Sequence, residues 1–342
     1  MKEHGERSKA DFGSAAGTMK KYDVTALGEL LIDFTENGVS GQGNPLFEAN
    51  PGGAPCNVLA MLSKLGRNTA FIGKVGKDVF GERLKTALEE AGIDAQYLRM
   101  DEKIHTTLAL VHTFPGGDRE FSFYRNPGAD MMLTEEEIPE ELIRNSRIFH
   151  FGSISMTHEK VRNATRKAVQ IAEQAGCMIS FDPNLRAPLW DDLNEAREQI
   201  QWGLKHCHIL KISDNEITWL TGKKDYTEGV EWLNNRYRIP LVLVSMGKAG
   251  SRAYYKGDMT EVPPILREDT IETTGAGDTF CGCILNGILE KGLEQLTDEY
   301  LKEMLMFANS AASVITTRRG ALRVMPSREE IEGNFTLYCQ SS

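Results

Sequence analysis

The chain has 342 residues, 41% of them hydrophobic and 26% charged, with a formal net charge of -10. That is enough apolar sequence for a packed α/β core, and the acidic balance argues against nucleic acid or an anionic membrane surface as the main partner. No apolar run approaches membrane-spanning length and no apolar signal core opens the chain, so a soluble, cytoplasmic protein is expected.

Residues 1–18 are polar, non-periodic and contain Gly, Ala and Ser, and they read as a disordered leader or extension, with Met19 a candidate native start. A strand pattern begins at Tyr22 and runs through DVTALGELLIDF. Residues 35–50 then break the rhythm, being rich in Gly, Asn and polar side chains. Next comes PCNVLAMLSKLG, where Val58, Leu59, Leu62 and Leu65 share one helical face and Gly66 is a natural stop. The strand TAFIGKVG and the helix VFGERLKTALEEAG follow. Residues 105–125 read as two strands around a PGGD turn, a hairpin-like insertion suited to a lid over a site. Further strands are expected at RIFHFGSI, CMISFDPN, HILKIS and LVLVSMG, with helices at EKVRNATRKAVQIAEQAG and DLNEAREQIQWGLKH between them. Apolar strands alternating with longer helices imply a mostly parallel sheet covered on both faces.

The six cysteines show no CxxC pair and read as reduced thiols packed like small hydrophobes. His206 and His208 flank Cys207 without a visible third and fourth ligand, and read as ordinary residues leading into a strand.

Two strings carry chemistry. In IETTGAGDTFCGCIL, Gly275, Ala276 and Gly277 open a helix whose first turn holds Asp278. Freed N–H groups at a helix N-terminus hold an anion, while a carboxylate beside them repels one. Phosphoryl transfer to an alcohol needs both: donors for the charge on the phosphoryl oxygens, and an acceptor for the hydroxyl proton. An Asp that only complements the helix dipole would give the same string. In PGGAPCN, Gly52 and Gly53 precede a helix whose first turn carries Asn57, an amide suited to a hydroxyl, although a plain loop-to-helix turn reads the same way. There is no P-loop, and no strand–GxGxxG–helix opens the chain.

With PGGAPCNVLA and TTGAGDTFCGCIL in this order, residues 21–332 resemble the ribokinase/PfkB family of carbohydrate kinases, most closely its bacterial fructokinases. The resemblance implies a three-layer α/β/α sandwich with a small β-sheet lid. Residues 19–334 would form the kinase domain, with lid segments near 35–50 and 105–125, and 335–342 a C-terminal tail. It implies Asp278 as catalytic base and Gly275, Ala276 and Gly277 as anion hole. Asp33, at the end of the first strand, would bind sugar hydroxyls with Gly52, Gly53 and Asn57, and Arg125 in FSFYRNPGAD would reach the sugar from the lid. Asn184, Arg186, Lys211, Gly247, Gly250 and Asn309 would serve the nucleotide, and Glu216 would be associated, indirectly, with magnesium. The implied reaction is ATP- and Mg2+-dependent phosphorylation of fructose to fructose 6-phosphate. A 2-keto-3-deoxygluconate kinase, another sugar kinase of the family and a catalytically silent sugar-binding protein are the alternatives. A homodimer through the lid is also implied.

Departures from the family sharpen this. Leu31 stands where ribokinases carry Asn, and FGSISM lacks their sugar-binding glutamate, which moves the expectation away from ribose. Ser213 replaces a common Asn ahead of Glu216. Glu272 stands where many relatives carry Asp, one methylene shorter, which weakens the expectation of a monovalent cation beside the anion hole.

Overall fold

The computed structural model describes residues 20–113 and 119–341. Three strands and a helix open it: β1 (Tyr22–Leu27), β2 (Leu31–Val39), β3 (Pro45–Gly52) and α1 (Ala54–Lys64). Then come β4 (Thr69–Gly76), α2 (Val79–Glu90), the short β5 (Ile93–Asp94) and β6 (Leu98–Asp101), and the pair β7 (Leu108–Thr113) and β8 (Arg119–Tyr124). The middle of the chain alternates α3 (Glu140–Arg144), β9 (Ser146–Gly152), α4 (Glu159–Gln174), β10 (Met178–Asp182), α5 (Leu193–His206) and β11 (Ile209–Ser213). It continues with α6 (Asp214–Thr221), α7 (Tyr226–Tyr237) and β12 (Leu241–Ser245), then β13 (Ser251–Tyr255) and β14 (Asp258–Val262). The helices α8 (Ala276–Lys291), α9 (Asp298–Ile315) and α10 (Arg328–Ser341) close it, the last running through the expected tail boundary.

Among the described residues the main sheet has the order β14-β13-β12-β11-β10-β9-β1-β4-β5, with β6 also pairing β4. Its pairs are parallel except β12–β13 and β13–β14. Side-chain alternation feeds two cores: Leu241 and Leu243 pack on the side of α1, α2, α8 and α9, while Val242 and Val244 face α4, α5 and α7. The three-layer expectation therefore holds. Chain order reverses at β1, with β4 on one side and β9 on the other, and such a switch point opens a crevice at the carboxyl ends of the strands.

A second sheet, β3-β2-β7-β8, lies apart from the first. Here the first-strand reading needs correction. DVTALGELLIDF is two strands in two sheets, because the chain leaves the main sheet at Gly28 and re-forms as β2 at Leu31. A Cβ at Gly28 would sit 2.6 Å from Pro55 Cγ, so the crossing runs tight against α1. Asp33 is consequently the third residue of a lid strand. The segment 35–50 falls in the antiparallel β2–β3 pair and 105–125 supplies β7 and β8, while the PGGD turn and residues 1–18 lie outside the described residues.

The helices α1 and α8 pack closely because Gly282 lacks a side chain. A Cβ there would lie 2.8 Å from Met61 Cβ and 3.0 Å from the Val58 carbonyl oxygen. Gly282 is one turn beyond Asp278, on the same helix face, so this contact sets how near α8 brings that carboxylate to α1. The Val58 oxygen is backbone and cannot turn aside. Gly282→Val is expected to destabilise the fold by about 1–3 kcal/mol, as overpacking does; a urea unfolding midpoint equal to the wild type's would contradict this.

Candidate active site

The N-terminus of α8 organises the site. Gly275 is its N-cap, with φ 75, a left-handed conformation, and a Cβ there would lie 2.5 Å from Ala321 Cβ. First-turn N–H groups lack partners within the helix; Ala276 N donates to the Thr273 carbonyl at 3.3 Å, and the N–H groups that follow it can serve an anion. Asp278, half-buried in that turn, accepts a hydrogen bond from Asn57 Nδ2 at 2.8 Å. The amide comes from the first turn of α1, 221 residues away in sequence. The Asn57 carbonyl oxygen, Oδ1, is buried and has no partner among the described residues.

Two cavities meet at this turn, sharing Thr273 and Gly277. The first, about 410 Å³, is lined by Asp33, Gly53, Asn57 and Asp278, and also by Asn184, Arg186 and Lys211, which were expected on the nucleotide side. The second, about 480 Å³, is lined by Gly247, Gly250, Ala276 and Asn309 with apolar Pro264, Ile265, Leu266 and Phe280. Asn309 shapes its wall: Oδ1 accepts from Ser251 Oγ and Nδ2 donates to the Pro263 carbonyl, both at 2.9 Å. Gly250, at φ 94, sits where a Cβ would be 2.2 Å from the Val262 carbonyl oxygen.

The other expected residues act at one remove. Gly52 is not among the cavity-lining residues, but a Cβ on it would lie 2.3 Å from Asp33 Oδ2, so its bare backbone makes room for that carboxylate. Glu216 closes a capping box at the start of α6: Oε2 accepts from Ser213 N at 2.8 Å and from Ser213 Oγ at 2.7 Å, while Oε1 accepts from Leu185 N at 2.7 Å. It therefore holds the loop that bears Asn184 and Arg186. Arg125 does not line the first cavity. It is buried against Asp130, with Nη1 on Thr157 Oγ1 at 2.8 Å and Nη2 on the Ile154 carbonyl at 3.2 Å. Glu272 is buried and accepts from Gly320 N at 3.0 Å.

Sequence reasoning missed Glu29. It sits at the crossing between the sheets, lines the first cavity, and accepts from Ala54 N at 2.8 Å. It thereby caps α1 in place of Gly53, which has no side chain to do so. No local signal marks this, because the partner lies 25 residues downstream.

Burial governs the charges. It pushes Asp33 up to about 7, with Arg186 opposing and Glu272 and Asp278 reinforcing the rise. It also pushes Glu29 up to about 7. Asp278 is raised by burial and held back by its Asn57 hydrogen bond, then by the charges of Lys211 and Arg186. Burial works against the charge on Lys211, but Asp182, at 3.0 Å, and then Glu216 and Asp278 outweigh it and hold the ammonium above its ordinary value. Asp33 and Glu29 bind protons more tightly folded than unfolded. Their contribution to stability is therefore complete below about pH 4 and lost as the pH rises through about 7. A carboxyl 13C titration is expected to show both groups protonating near pH 7; ordinary carboxylate midpoints would refute this electrostatic picture.

The match to known proteins agrees with this geometry. The pfkB family carbohydrate kinase profile matches residues 21–328. A probable fructokinase-2 of Arabidopsis thaliana is 42% identical over 309 residues, 89% of this chain and 93% of the relative. Fructokinase-1 of Zea mays is 40% identical over 310 residues, 90% and 96% of the two chains. The structure of a fructokinase from Xylella fastidiosa with bound ATP has a TM-score of 0.83 at 29% identity, covering 94% of this chain and 99% of that one. A double-mutant fructokinase from Vibrio cholerae O395, solved with fructose, ADP and potassium ion, has a TM-score of 0.83 at 27% identity, covering 93% and 100%. The chain belongs to the pfkB family of carbohydrate kinases.

Proposed function

We propose that this protein is an ATP-dependent fructose kinase that forms fructose 6-phosphate, with Asp278 as the general base. The observation that carries the reading is the 2.8 Å Asn57–Asp278 bond on the α8 turn that both cavities share. Sugar in the first cavity and nucleotide in the second would place hydroxyl and γ-phosphate on either side of one carboxylate and one set of N–H donors. Asp278 takes the hydroxyl proton, and burial makes it a better base than an exposed aspartate. The α8 N-terminus and Lys211 offset the phosphoryl charge. Asn57 Oδ1, left without a partner among the described residues, accepts from a sugar hydroxyl.

No three His, Cys, Asp or Glu residues converge on a metal site among the described residues. Mg2+ would arrive with the nucleotide. Bound there, the ion neutralises phosphate charge. Glu216 contributes by fixing Asn184 and Arg186 through Leu185.

Fructose is favoured over 2-keto-3-deoxygluconate because Arg125, the lid arginine that would read a carboxylate, is committed to Asp130. Asp278→Asn is expected to cut kcat by about 10²–10⁴-fold with the fold and fructose binding preserved, and the acid limb of wild-type kcat should lie above the ordinary carboxylate range. Near-normal turnover of this variant would remove Asp278 from the mechanism.

Exposed Val39, Leu46, Phe47 and Tyr124 on the lid sheet support a homodimer that covers them. Sedimentation is expected to give twice the 38.1 kDa chain mass; a monomer at working concentration overturns this.

A further inference from the structure

The segment RNPGAD, which the fructokinase reading leaves without a role because Arg125 does not line the first cavity, closes on itself at Asp130. This carboxylate is buried at the base of the β7–β8 hairpin. Oδ1 accepts from Thr107 Oγ1 at 2.5 Å, from the residue just before β7. Oδ2 accepts from Arg125 Nε at 2.8 Å and Nη2 at 2.7 Å, from the residue just after β8. One side chain thus ties both roots of the hairpin. The approach is close enough that a Cβ at Gly128 would lie 1.8 Å from Thr107 Oγ1.

Each root continues to the sugar-side cavity. The Thr107 carbonyl accepts from Ile32 N at 3.2 Å, the residue before Asp33. Arg125 donates to the Ile154 carbonyl, and Ile154 lines the same cavity. From these contacts we infer that the Asp130–Arg125 pair, with Thr107, is a positioning clamp that sets Asp33 and Ile154 against the sugar, and so controls sugar affinity without touching the nucleotide. None of its members lines the nucleotide-side cavity. Packing alone does not call for ions here, since apolar residues of similar volume commonly serve stability as well as a buried pair. What the fork adds is direction: paired N–H donors fix an angle as well as a distance.

The inference rests on the fructose kinase reading, and the test separates the two. Steady-state kinetics and calorimetric fructose binding are to be measured on the full chain, on Asp130→Asn and on the milder Thr107→Val, with thermal unfolding to establish that each variant is folded. Asp130→Asn is expected to raise KM for fructose by about 5-fold or more, and Thr107→Val by about 2- to 10-fold. KM for ATP should stay within about 2-fold, because uniform sugar binding is what is lost. The double variant should lose less than the product of the single effects, since both act through one carboxylate. A folded Thr107→Val with wild-type fructose affinity, or KM values for both substrates rising together, overturns the clamp. A wild-type chain that neither binds nor phosphorylates fructose overturns the kinase reading itself, and the clamp with it.

Discussion

Everything at the active site depends on how closely α8 approaches α1. Gly282 permits the contact, and one turn earlier the same face delivers Asp278 to Asn57. A helix N-terminus and a carboxylate in its first turn are compatible only if they serve different atoms. The packing allows that division: the carboxylate is turned toward α1 and held by an amide there. Gly275 and Gly277 complete it, the first against Ala321 and the second where a Cβ would lie 3.1 Å from Lys211 Nζ.

The arrangement works against stability. Moving Asp33 from its ordinary 3.8 to about 7 corresponds to on the order of 4 kcal/mol of disfavoured ionisation. Against a typical net stability of about 5–15 kcal/mol that is a large share. Glu29 is raised to a similar value and Asp182 to about 6, by burial ahead of the opposing Lys211 charge. Such a cluster persists only when the surrounding core over-determines it, and here two apolar cores sandwich the sheet that presents it.

The layers, the strand and helix order and both glycine strings were legible because each is a local pattern: apolar alternation, helical period, glycine before a helix. Asn57 and Asp278 could be named for the same reason. Arg125, expected to reach the sugar from the lid, packs on Asp130, and its string shows why the sequence does not announce this. FSFYRNPGAD reads the same whether the guanidinium faces a sugar or the aspartate five residues on, and only the folding of 125–130 onto Thr107 decides. Lys211, Asn184 and Arg186 were assigned to the nucleotide, but their cavity is settled by which strand ends neighbour α8, a matter of sheet order. Glu216 satisfied the capping-box pattern in the sequence all along, and that local role accounts for two of the hydrogen bonds its carboxylate accepts, the third coming from Leu185 N on another loop. The break in GELLID escaped because a lone glycine between apolar runs does not announce a change of sheet.

That break also bears on the polar lining of the first cavity. Leu31, where ribokinases carry Asn, lines the cavity and offers no hydrogen bond, and Ile154 lies in the FGSISM string that lacks a glutamate. Read along the chain, these look like a site stripped of polar contacts. In space the polarity has moved: Glu29, two residues before Leu31, places a carboxyl in the same cavity, and Arg186 adds a cation. Buried hydrogen-bonding groups reject ligands that leave them unpaired more strongly than apolar walls reject a missing methylene. A cavity with its polar groups redistributed is therefore not a permissive one. Its polarity stands at the carboxyl of the sheet crossing and at Arg186 rather than at the leucine beside them.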